Sequence, residues 1–455
     1  MTIGGLSRAA LPLHECVPLY IQLNNMYAPA WGYGGPVRLM FDYARWLKRD
    51  FRVAAFTGDI HHDFTRIPLR AETVNEVSVY RHKVFFPRLA KKSVYLHSPV
   101  MCMQAARHIR STGGPAIVHF SELRGLVPLY ALFLKLLFKR DVTLVHSAFG
   151  SLHYKRSILR WIYDALFMKA FVKFVDLRLV QNDHENETYR RLCSDYGAKN
   201  QSEIHLLPLH LDEGGTDRAR FTESGKDQSA VREVRRTYGI LEDALVFLFL
   251  GRLHPAKGIL RMIDAYLEFS RSYSRESLLV IVGRDDGFQA EAEEYVLRNR
   301  VEGRVRIVNN VYEARFDYYF MADVFLGFPT IFEETMLASI EAMACGTPIV
   351  VSREADIPFV EEELAGKVID FNSQAAVEAM SEITQRLTSF QVNARRVVAT
   401  HFSGTAAYNK LKVLFQDAIS GNASSVKLGA PEECEPSRED EASSLENTSP
   451  IGVTE

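Results

Sequence analysis

The chain has 455 residues, which at roughly 100 to 200 residues per domain is enough for two to four domains. Hydrophobic residues make up 47%, charged residues 24% and aromatic residues 11% of it, which excludes a small disulfide-stapled scaffold and a disordered, collagenous or coiled-coil chain. The formal net charge is -2, and we expect no nucleic-acid partner.

The cysteines and the chain ends bear on the cellular compartment and on the order of the chain. The five cysteines are far apart and form no Cys-x-x-Cys pair, so we expect no disulfide framework or zinc cluster and a reducing, cytoplasmic compartment. The first 16 residues lack the basic start and apolar run of a signal peptide, and no segment reaches about 18 uninterrupted apolar residues. Residues 421–455 hold eight acidic and two basic side chains, which predicts a disordered acidic tail.

Two stretches alternate short apolar runs with helical periodicity, which predicts parallel sheets with helices on both faces. In the first stretch, 17–207, the predicted strands are 18–23, 52–57, 116–120, 142–146, 177–180 and 204–207, and the helices include 37–48 and 158–174. In the second stretch, 244–400, the predicted strands are 245–250, 278–282, 305–308, 324–327 and 348–352, and the helices include 259–272 and 337–345.

The stretches are separated by a polar, glycine-containing segment without periodicity at 213–229, which is typical of a linker. We therefore predict a Rossmann-like domain over 1–212, a linker over 213–235, a second domain over 236–400, and a helix within 401–420 that packs back on the first domain. Open α/β sheets bind ligands beyond the carboxyl ends of their strands, so two facing sheets would share a ligand in the cleft between them.

The segment 332–348 follows a predicted strand and ends in a glycine and proline helix stop, which predicts a strand, a loop and a helix in succession. Glu333 falls in the loop and Glu341 about two turns into the helix, so both can face one cleft. The unpaired amides near the helix start suit a diphosphate. These amides belong to Thr335, Met336 and Leu337. Glu341 could then bind ribose hydroxyls and Glu333 sugar hydroxyls; the alternative is two surface charges.

Two further turns carry candidate ligand-binding residues. Arg252 and Lys257 follow the predicted strand 245–250. The planar guanidinium of Arg252 and the compact ammonium of Lys257 can together stabilise a departing diphosphate. Gly34 and Gly35 precede the predicted helix 37–48 and let backbone amides approach a ligand, unless the turn only changes the chain's direction. The chain has neither Gly-x-Gly-x-x-Gly nor Gly-Lys-Thr/Ser, which disfavours a dehydrogenase or a P-loop protein.

Four motifs resemble glycosyltransferase family 4 in sequence and order. They are Gly-Gly-Pro at 34–36, Gly-Arg-Leu-x4-Lys-Gly at 251–258, Gly-Arg-Asp-Asp-Gly at 283–287, and Glu-x7-Glu running into Glu-Ala-Met-Ala-Cys-Gly-Thr-Pro at 333–348. Over about 17–415 the chain resembles these retaining, nucleotide-sugar-dependent enzymes. The resemblance implies the GT-B fold, an α/β architecture of two facing Rossmann-like domains with a cleft between them.

The resemblance also implies roles for the candidate residues. Arg252 and Lys257 would hold the donor diphosphate, Glu341 the ribose and Glu333 the transferred sugar, with Gly34 and Gly35 along the opposite wall. It implies a hexosyltransferase-type enzyme with no metal and no resident cofactor, in which the leaving diphosphate takes the acceptor's proton. The acceptor would be a glycan or a lipid-linked molecule, as in the biosynthesis of a cell-surface polysaccharide or glycoconjugate.

The chain departs from the family pattern at three places, one of which is Pro-Leu-His-Leu-Asp at 208–212 in place of the usual Pro-Asn-Gly-Ile-Asp. The family usually has Gly-Phe-Gly after the first glutamate, where this chain has Glu334, Thr335 and Met336, so the donor stays open. Many members carry His-Gly near the reacting sugar carbon, where this chain has Phe149-Gly150. His146 is a candidate catalytic substitute, and a core or strand-end histidine is an equal alternative.

Two basic and aromatic stretches in the first domain, 81–92 and 155–173, suit peripheral contact with an anionic membrane at its inner face. An ordinary core helix with snorkelling lysines is an equal alternative. Two other functions stay open: a GT-B sugar-nucleotide epimerase or phosphorylase, and a non-catalytic sugar-nucleotide-binding subunit. A phosphorylase would need a lysine placed for pyridoxal phosphate, and no motif marks one.

Overall fold

The computed structural model describes residues 17–31, 35–90, 94–152, 158–197, 204–211, 228–309, 314–333 and 336–421. These residues form two α/β domains, each built on its own sheet. The predicted acidic tail after Gly421, residues 213–227 of the predicted linker, and the candidates Gly34 and Thr335 lie outside the described residues.

The first domain contains an eight-stranded sheet in the order β10-β9-β8-β7-β1-β2-β4-β3. Its strands are parallel except for β3, which runs antiparallel to β4, and a short hairpin, β5–β6, lies beside it. The strands are β1 Leu19–Asn24, β2 Arg52–Gly58, β3 Ala71–Val74, β4 Val77–His82, β5 Val84–Phe85, β6 Leu96–His97, β7 Ala116–Phe120, β8 Val142–Ser147, β9 Leu177–Val180 and β10 Ile204–Leu206.

The second domain contains a six-stranded sheet in the order β13-β12-β11-β14-β15-β16, with every neighbouring pair parallel. Its central strands are buried almost throughout because helices cover both faces, as their unbroken apolar runs predict. The strands are β11 Leu245–Leu250, β12 Ser277–Gly283, β13 Val305–Asn309, β14 Val324–Gly327, β15 Ile349–Ser352 and β16 Gly366–Ile369.

The helices fall on both faces of each sheet. The helices of the first domain are α1 Gly35–Leu47, α2 Pro87–Ala90, α3 Val100–Thr112, α4 Leu126–Phe138, α5 Ile158–Tyr163, α6 Lys169–Phe174 and α7 Asp183–Asp195. Those that follow are α8 Gln228–Thr237, α9 Ile259–Ser272, α10 Gln289–Arg298, α11 Arg315–Met321, α12 Leu337–Ala344, α13 Ser373–Gln385, α14 Leu387–Val397 and α15 Gly404–Ser420. None of the helices described is long and apolar enough to cross a membrane.

Each domain has a core on either side of its sheet. In the first domain, α3, α4, α6 and α7 pack on one face, and α1 together with α15 packs on the other. In the second domain, α11, α12 and α14 cover one face, and α9, α10 and α13 the other. The two domains are therefore separate three-layer units.

The last helix, α15, starts at the second domain and packs on the first. At the crossing, Leu211 N donates to Phe402 O at 2.8 Å, so the two segments that connect the domains lie side by side. Further along α15, the rings of Phe415 and Tyr20 lie 5.5 Å apart, and Lys412 Nζ pairs with Asp50 Oδ1 at 2.7 Å. The end of the chain that the structure describes thus ties the domains together.

Differences from the predicted elements have local causes. Edge strand β3 alternates between exposed and half-buried positions and carries Glu72 and Thr73, so it gives no apolar run. Residues 228–235 of the predicted linker belong to α8, which packs on the second domain through Arg235. The single helix predicted over 158–174 is α5, a π-helical turn Asp164–Met168, and α6.

Candidate functional site

The candidate site lies where the strand order of the second sheet reverses direction. The chain moves outward from β11 to β12 and β13, then returns to β14 on the other side of β11. β11 and β14 are hydrogen-bonded neighbours, with Phe247 opposite Val324 and Leu248 opposite Phe325. The loops that follow these two strands therefore open together, and such switch points are where α/β sheets bind ligands. These loops carry Arg252, Lys257 and Glu333.

Lys257 and Glu333 form an ion pair in this crevice. Lys257 Nζ contacts Glu333 Oε1, and the two side chains are 15% and 21% exposed. The loops are also joined through their backbones, because Thr330 N donates to Ala256 O at 2.8 Å. The structure thus brings together two of the predicted site residues from loops 76 positions apart in the chain.

The turn that presents Lys257 depends on two local features. His254 caps it, since Nδ1 of its ring accepts a hydrogen bond from Ala256 N at 3.1 Å. Gly258 ends it with a φ of 67°, and a Cβ at this position would clash with the carbonyl oxygen of Phe328. Only glycine can adopt this left-handed backbone conformation without strain and also leave room for the β14 loop.

Gly258→Ala should therefore lower the free energy of unfolding by about 3 kcal/mol, because backbone strain adds to the steric clash. Gly287→Ala is the matched control: its φ is 85°, but a Cβ there would meet nothing within 4 Å. We expect that control to cost about 1 kcal/mol from strain alone. Urea unfolding of both variants measures the difference, and equal losses would show that the contact with Phe328 does not constrain the turn.

Arg252 lies at the mouth of the same crevice. Its side chain is 59% exposed, and Nη1 pairs with Asp286 Oδ2 at 2.6 Å. The neighbouring Asp285 is held in place because its Oδ1 accepts from the amides of Gly287, Phe288 and Gln289 at 2.9 to 3.0 Å. An exposed ion pair of this kind contributes little to stability, so the guanidinium can exchange Asp286 for a phosphate at little cost.

Glu341 is the fifth residue of α12 and points into a largely enclosed environment. Its side chain is 13% exposed, Tyr319 Oη donates to Oε2 at 2.8 Å, and Arg315 Nε lies 3.5 Å from Oε1. Burial raises the pKa of this carboxyl, while Tyr319, Arg315 and Arg38 act in the opposite direction. The charged carboxylate is thus held in a place that costs folding energy.

Glu341→Gln should raise the melting temperature at pH 7. The folded-state pKa of Glu341 lies above its ordinary value of 4.5, so the wild type loses stability as pH rises through that range, and a neutral amide does not. The difference in melting temperature between the variant and the wild type should disappear as the pH falls below the ordinary pKa of 4.5. Calorimetry across pH measures it, with Glu268→Gln on the exposed face of α9 as the control; a variant less stable than the wild type at pH 7 would contradict the assignment.

The start of α12 lies beside the crevice. Met336 is the N-cap residue of α12 and is buried. Its sulfur lies close to Gly327, so that a Cβ on Gly327 would crowd it. Leu337 is the first residue of the helix and is 38% exposed. The predicted anion site at this helix start is thus next to the β14 loop, with its third member, Thr335, outside the described residues.

The first domain contributes α1 to the opposite wall. Gly35 is the first residue of this helix, and a Cβ on it would meet nothing within 4 Å. Arg38, one turn along, is among the charges that lower the pKa of Glu341, so the start of α1 lies within electrostatic range of α12. Residues from both domains therefore face a common space.

A second contact between the domains was not foreseen from the sequence. His184 N, in the first turn of α7, donates to Asp356 Oδ2 at 2.9 Å, and the His184 ring lies 4.0 Å from the Phe332 ring. Phe332 precedes Glu333, so α7 touches the loop that carries one of the site carboxylates. A cavity at this contact is lined from both domains, by residues that include Gln181, Asn182, Met336, Ile340 and Asp356.

His146 lies in the core of the first domain. It is fully buried, with its ring against Phe120 and Phe171, and its Nδ1 is 2.9 Å from Tyr189 Oη. Burial, followed by the charge of Arg178, lowers the pKa of this histidine to about 3. His146 is therefore a core histidine, and the structure does not bring it to the cleft as a catalytic group.

Phe149 and Gly150 form a tight turn that is held by a buried acid. Phe149 has a φ of 41°, which is uncommon outside glycine. Gly150 N donates to Glu185 Oε1 at 2.5 Å, and Gln181 N donates to Glu185 Oε2 at 2.7 Å. Glu185 lies in the first turn of α7, so this turn is anchored to the helix that contacts the second domain.

Glu122 is a further carboxyl that the sequence did not single out. It follows β7, beside the end of β1, where the strand order of the first sheet reverses. Its Oε1 accepts from Asn25 N at 2.8 Å, and burial raises its pKa to about 7. The first domain thus holds a carboxyl with a raised pKa at its own switch point.

Comparisons with known proteins show which family and which solved structures this chain is similar to. Residues 244–386 match the model of the family described as Glycosyl transferases group 1. The chain is 28% identical over 204 residues to "Putative glycosyltransferase YtcC" of Bacillus subtilis, covering 42% of this chain and 50% of that protein. The chain spans about half the length of the curated relatives it matches.

Two solved structures share the fold. One is the sucrose-phosphate synthase from Thermosynechococcus elongatus, with a TM-score of 0.60, 19% identity, and 89% of this chain and 100% of that chain covered. The other is HepE from Anabaena in complex with UDP, with a TM-score of 0.59, 15% identity, and 88% and 100% covered. The predicted GT-B fold is confirmed. Within it, residues 244–386 are the part that matches the Glycosyl transferases group 1 family; the finer assignment to family 4 stays a prediction.

Proposed function

We propose that this chain is a retaining glycosyltransferase that moves a sugar from a nucleotide-diphosphate-sugar donor to a glycan or lipid-linked acceptor. The observation that carries the proposal is the crevice at the β11–β14 switch point, where the Lys257–Glu333 pair lies within a Glycosyl transferases group 1 domain. Cations and carboxylates that meet at such an edge suit a ligand with both phosphate and hydroxyl groups.

Each side chain has a role that its environment supports. Lys257 and Arg252 would neutralise the charge that grows on the diphosphate as it leaves. Glu341, held charged by Tyr319 and Arg315 in a buried place, would accept hydrogen bonds from the ribose hydroxyls. Glu333 would accept from hydroxyls of the sugar and share Lys257 with the donor phosphate.

The proposed reaction is balanced without a protein nucleophile. The bond between the anomeric carbon and the diphosphate oxygen breaks, and a bond from the acceptor oxygen to that carbon forms on the same face. The acceptor's proton passes to the departing phosphate oxygen, so configuration is retained. The protein then contributes position and charge stabilisation rather than a covalent step, and we expect it to need no metal and no resident cofactor.

The donor can be found by thermal shift. A ligand that binds only the folded state raises the melting temperature, so UDP, GDP and ADP and their sugars are compared at equal concentration. The neighbouring structure of HepE contains UDP, which makes UDP the first to test. We expect one base to shift the melting temperature well above the other two; no shift from any of them would contradict the proposal.

A non-catalytic nucleotide-sugar-binding subunit is the second candidate. It is favoured by Phe149, which stands at the place of a histidine in many members of the resembled family. The two candidates differ in turnover: the enzyme releases nucleoside diphosphate from its donor, slowly with water and faster with an acceptor, whereas the subunit binds the donor and releases none. A coupled assay for the released diphosphate separates them.

The cellular role that we propose depends on the class of acceptor. A glycan or lipid-linked acceptor would place the enzyme in the synthesis of a cell-surface polysaccharide or glycoconjugate, at the cytoplasmic face of a membrane. In the basic aromatic stretches 81–92 and 155–173, the exposed Phe86 and Trp161 support that location, whereas Arg81 and His82 are buried and do not contribute. Extracted lipid-linked glycans offered with the donor identified above test it, and transfer only to soluble sugars would contradict a lipid-linked acceptor.

A further inference from the structure

One face of α5 and of the π-helical turn after it is apolar and exposed. Ile158, Trp161, Ile162 and Leu166 are 79%, 72%, 42% and 66% exposed. Their spacing of three, four and eight positions places them on one side of the helix. A helix on a soluble domain normally buries such a face, so the core-helix alternative fails for these four side chains.

A second exposed apolar face lies on α4. Phe133, Leu136 and Leu137 are 55%, 55% and 45% exposed and occupy one side of that helix. We call these three side chains, together with the four on α5 and its π-helical turn, the apolar surface.

The start of α4 is joined to the end of α5 and its π-helical turn. Arg124, just before α4, pairs with both carboxylate oxygens of Asp164 at 2.8 Å, and Tyr163 Oη donates to Gly125 O at 3.0 Å. α4 and Met168 of the π-helical turn pack in the core on one face of the first sheet. The two parts of the apolar surface therefore lie on segments that are joined to each other on the same side of the first sheet.

The charge around the apolar surface is strongly positive. From 124 to 173 the sequence holds nine Lys and Arg against two Asp and no Glu. One of those acids, Asp164, is buried in its pair with Arg124. Lys139, Lys169 and Lys173 are exposed at the borders of the apolar side chains. This combination of an apolar centre and a basic rim is complementary to an anionic lipid surface.

We propose that the apolar surface docks on the interface of an anionic lipid bilayer, with Trp161 and Leu166 inserted among the lipid headgroups. A second copy of the chain is a poorer occupant, because a symmetric contact would bring two basic rims together. Docking does not depend on glycosyl transfer; only its use, bringing a lipid-linked acceptor near the cleft, rests on the proposed function. α5 suits that use, since it follows β8 and begins near the carboxyl edge of the first sheet.

Vesicle sedimentation tests the proposal with a matched pair of variants. The double variant Trp161→Ser/Leu166→Ser removes two apolar side chains from the surface. The control Leu241→Ser/Leu297→Ser removes two that are 66% and 60% exposed on the second domain. Wild type and control should bind vesicles of phosphatidylglycerol and phosphatidylcholine, less tightly as salt is raised, and the surface variant should bind about tenfold more weakly or worse.

Tryptophan fluorescence adds a site-specific readout. Emission should shift to shorter wavelength when anionic vesicles are added, and Trp161→Phe should abolish the shift although Trp31 and Trp46 remain. Glu341→Ala should bind vesicles as the wild type does, so a failure of the catalytic proposal leaves this result unchanged.

Three results would overturn the docking proposal. The first is a wild type that does not bind the anionic vesicles while its melting temperature shows it folded. The second is an equal loss of binding in the surface and control variants. The third is self-association of the wild type, removed by Trp161→Ser/Leu166→Ser, in the absence of vesicle binding, which would make a second copy the occupant.

Discussion

Replacing Lys257 by alanine should lower the rate of diphosphate release from the donor by about 10³-fold, the scale seen when a single charged or polar stabiliser of a transition state is removed. Lys257 is the less exposed of the two cations at the switch point, and its pairing with Glu333 holds it there. In this largely enclosed crevice a positive charge acts on the leaving group more strongly than it would in water.

Lys367→Ala is the control for that experiment. Lys367 lies in the same domain, is 21% exposed, and pairs with Glu382 at 2.7 Å, so its loss costs a similar ion pair away from the crevice. We expect it to keep wild-type turnover. Equal rates for Lys257→Ala and wild type, with both folded, would remove Lys257 from the reaction.

Replacing Glu341 by alanine should weaken binding of the nucleotide sugar by about 100-fold, because the proposed binding mode loses a buried carboxylate that would accept two ribose hydrogen bonds. Tyr319 and Arg315 would also lose their acceptor. The expected change is in affinity, with turnover at saturating donor much less affected. Equilibrium dissociation constants for the donor, measured by calorimetry, check it.

Glu341→Gln separates the charge of this residue from its shape. The amide keeps one acceptor oxygen, so its affinity for the donor should lie between those of wild type and alanine variant, even though we expect the folded protein to be more stable. A glutamine variant that binds as tightly as the wild type would show that the negative charge serves no purpose in the ribose contact. That outcome would leave the cost of burying it unexplained.

Much of the fold could be predicted because parallel strands covered on both faces have continuous apolar runs. β11 is of this kind, β1, β7 and β8 are mostly apolar and fully buried, and the predicted strands overlap all four. The strand order was implied only by the family resemblance. Once β11 and β14 are neighbours, motifs 76 positions apart come together, which local patterns cannot show.

Other features could not be predicted, and for a physical reason. The apolar spacing of Ile158, Trp161 and Leu166 is the same whether that face meets a core or lies open, because periodicity records a face and not its partner. The contact of His184 with Phe332 and Asp356 joins separate domains and leaves no local signal. His146 illustrates the converse, since its residue type suggested chemistry and its surroundings are those of a core.

The most direct test of the shared pocket compares two ligands on three proteins. Calorimetry would measure the best-bound nucleoside diphosphate and its free nucleoside against wild type, Lys257→Ala and Glu341→Ala. If the cation and the carboxylate meet one nucleotide, Lys257→Ala weakens only the diphosphate, whereas Glu341→Ala weakens both ligands. Wild-type affinities in both variants, or no binding of any nucleoside diphosphate by the wild type, would contradict a nucleotide site in this cleft.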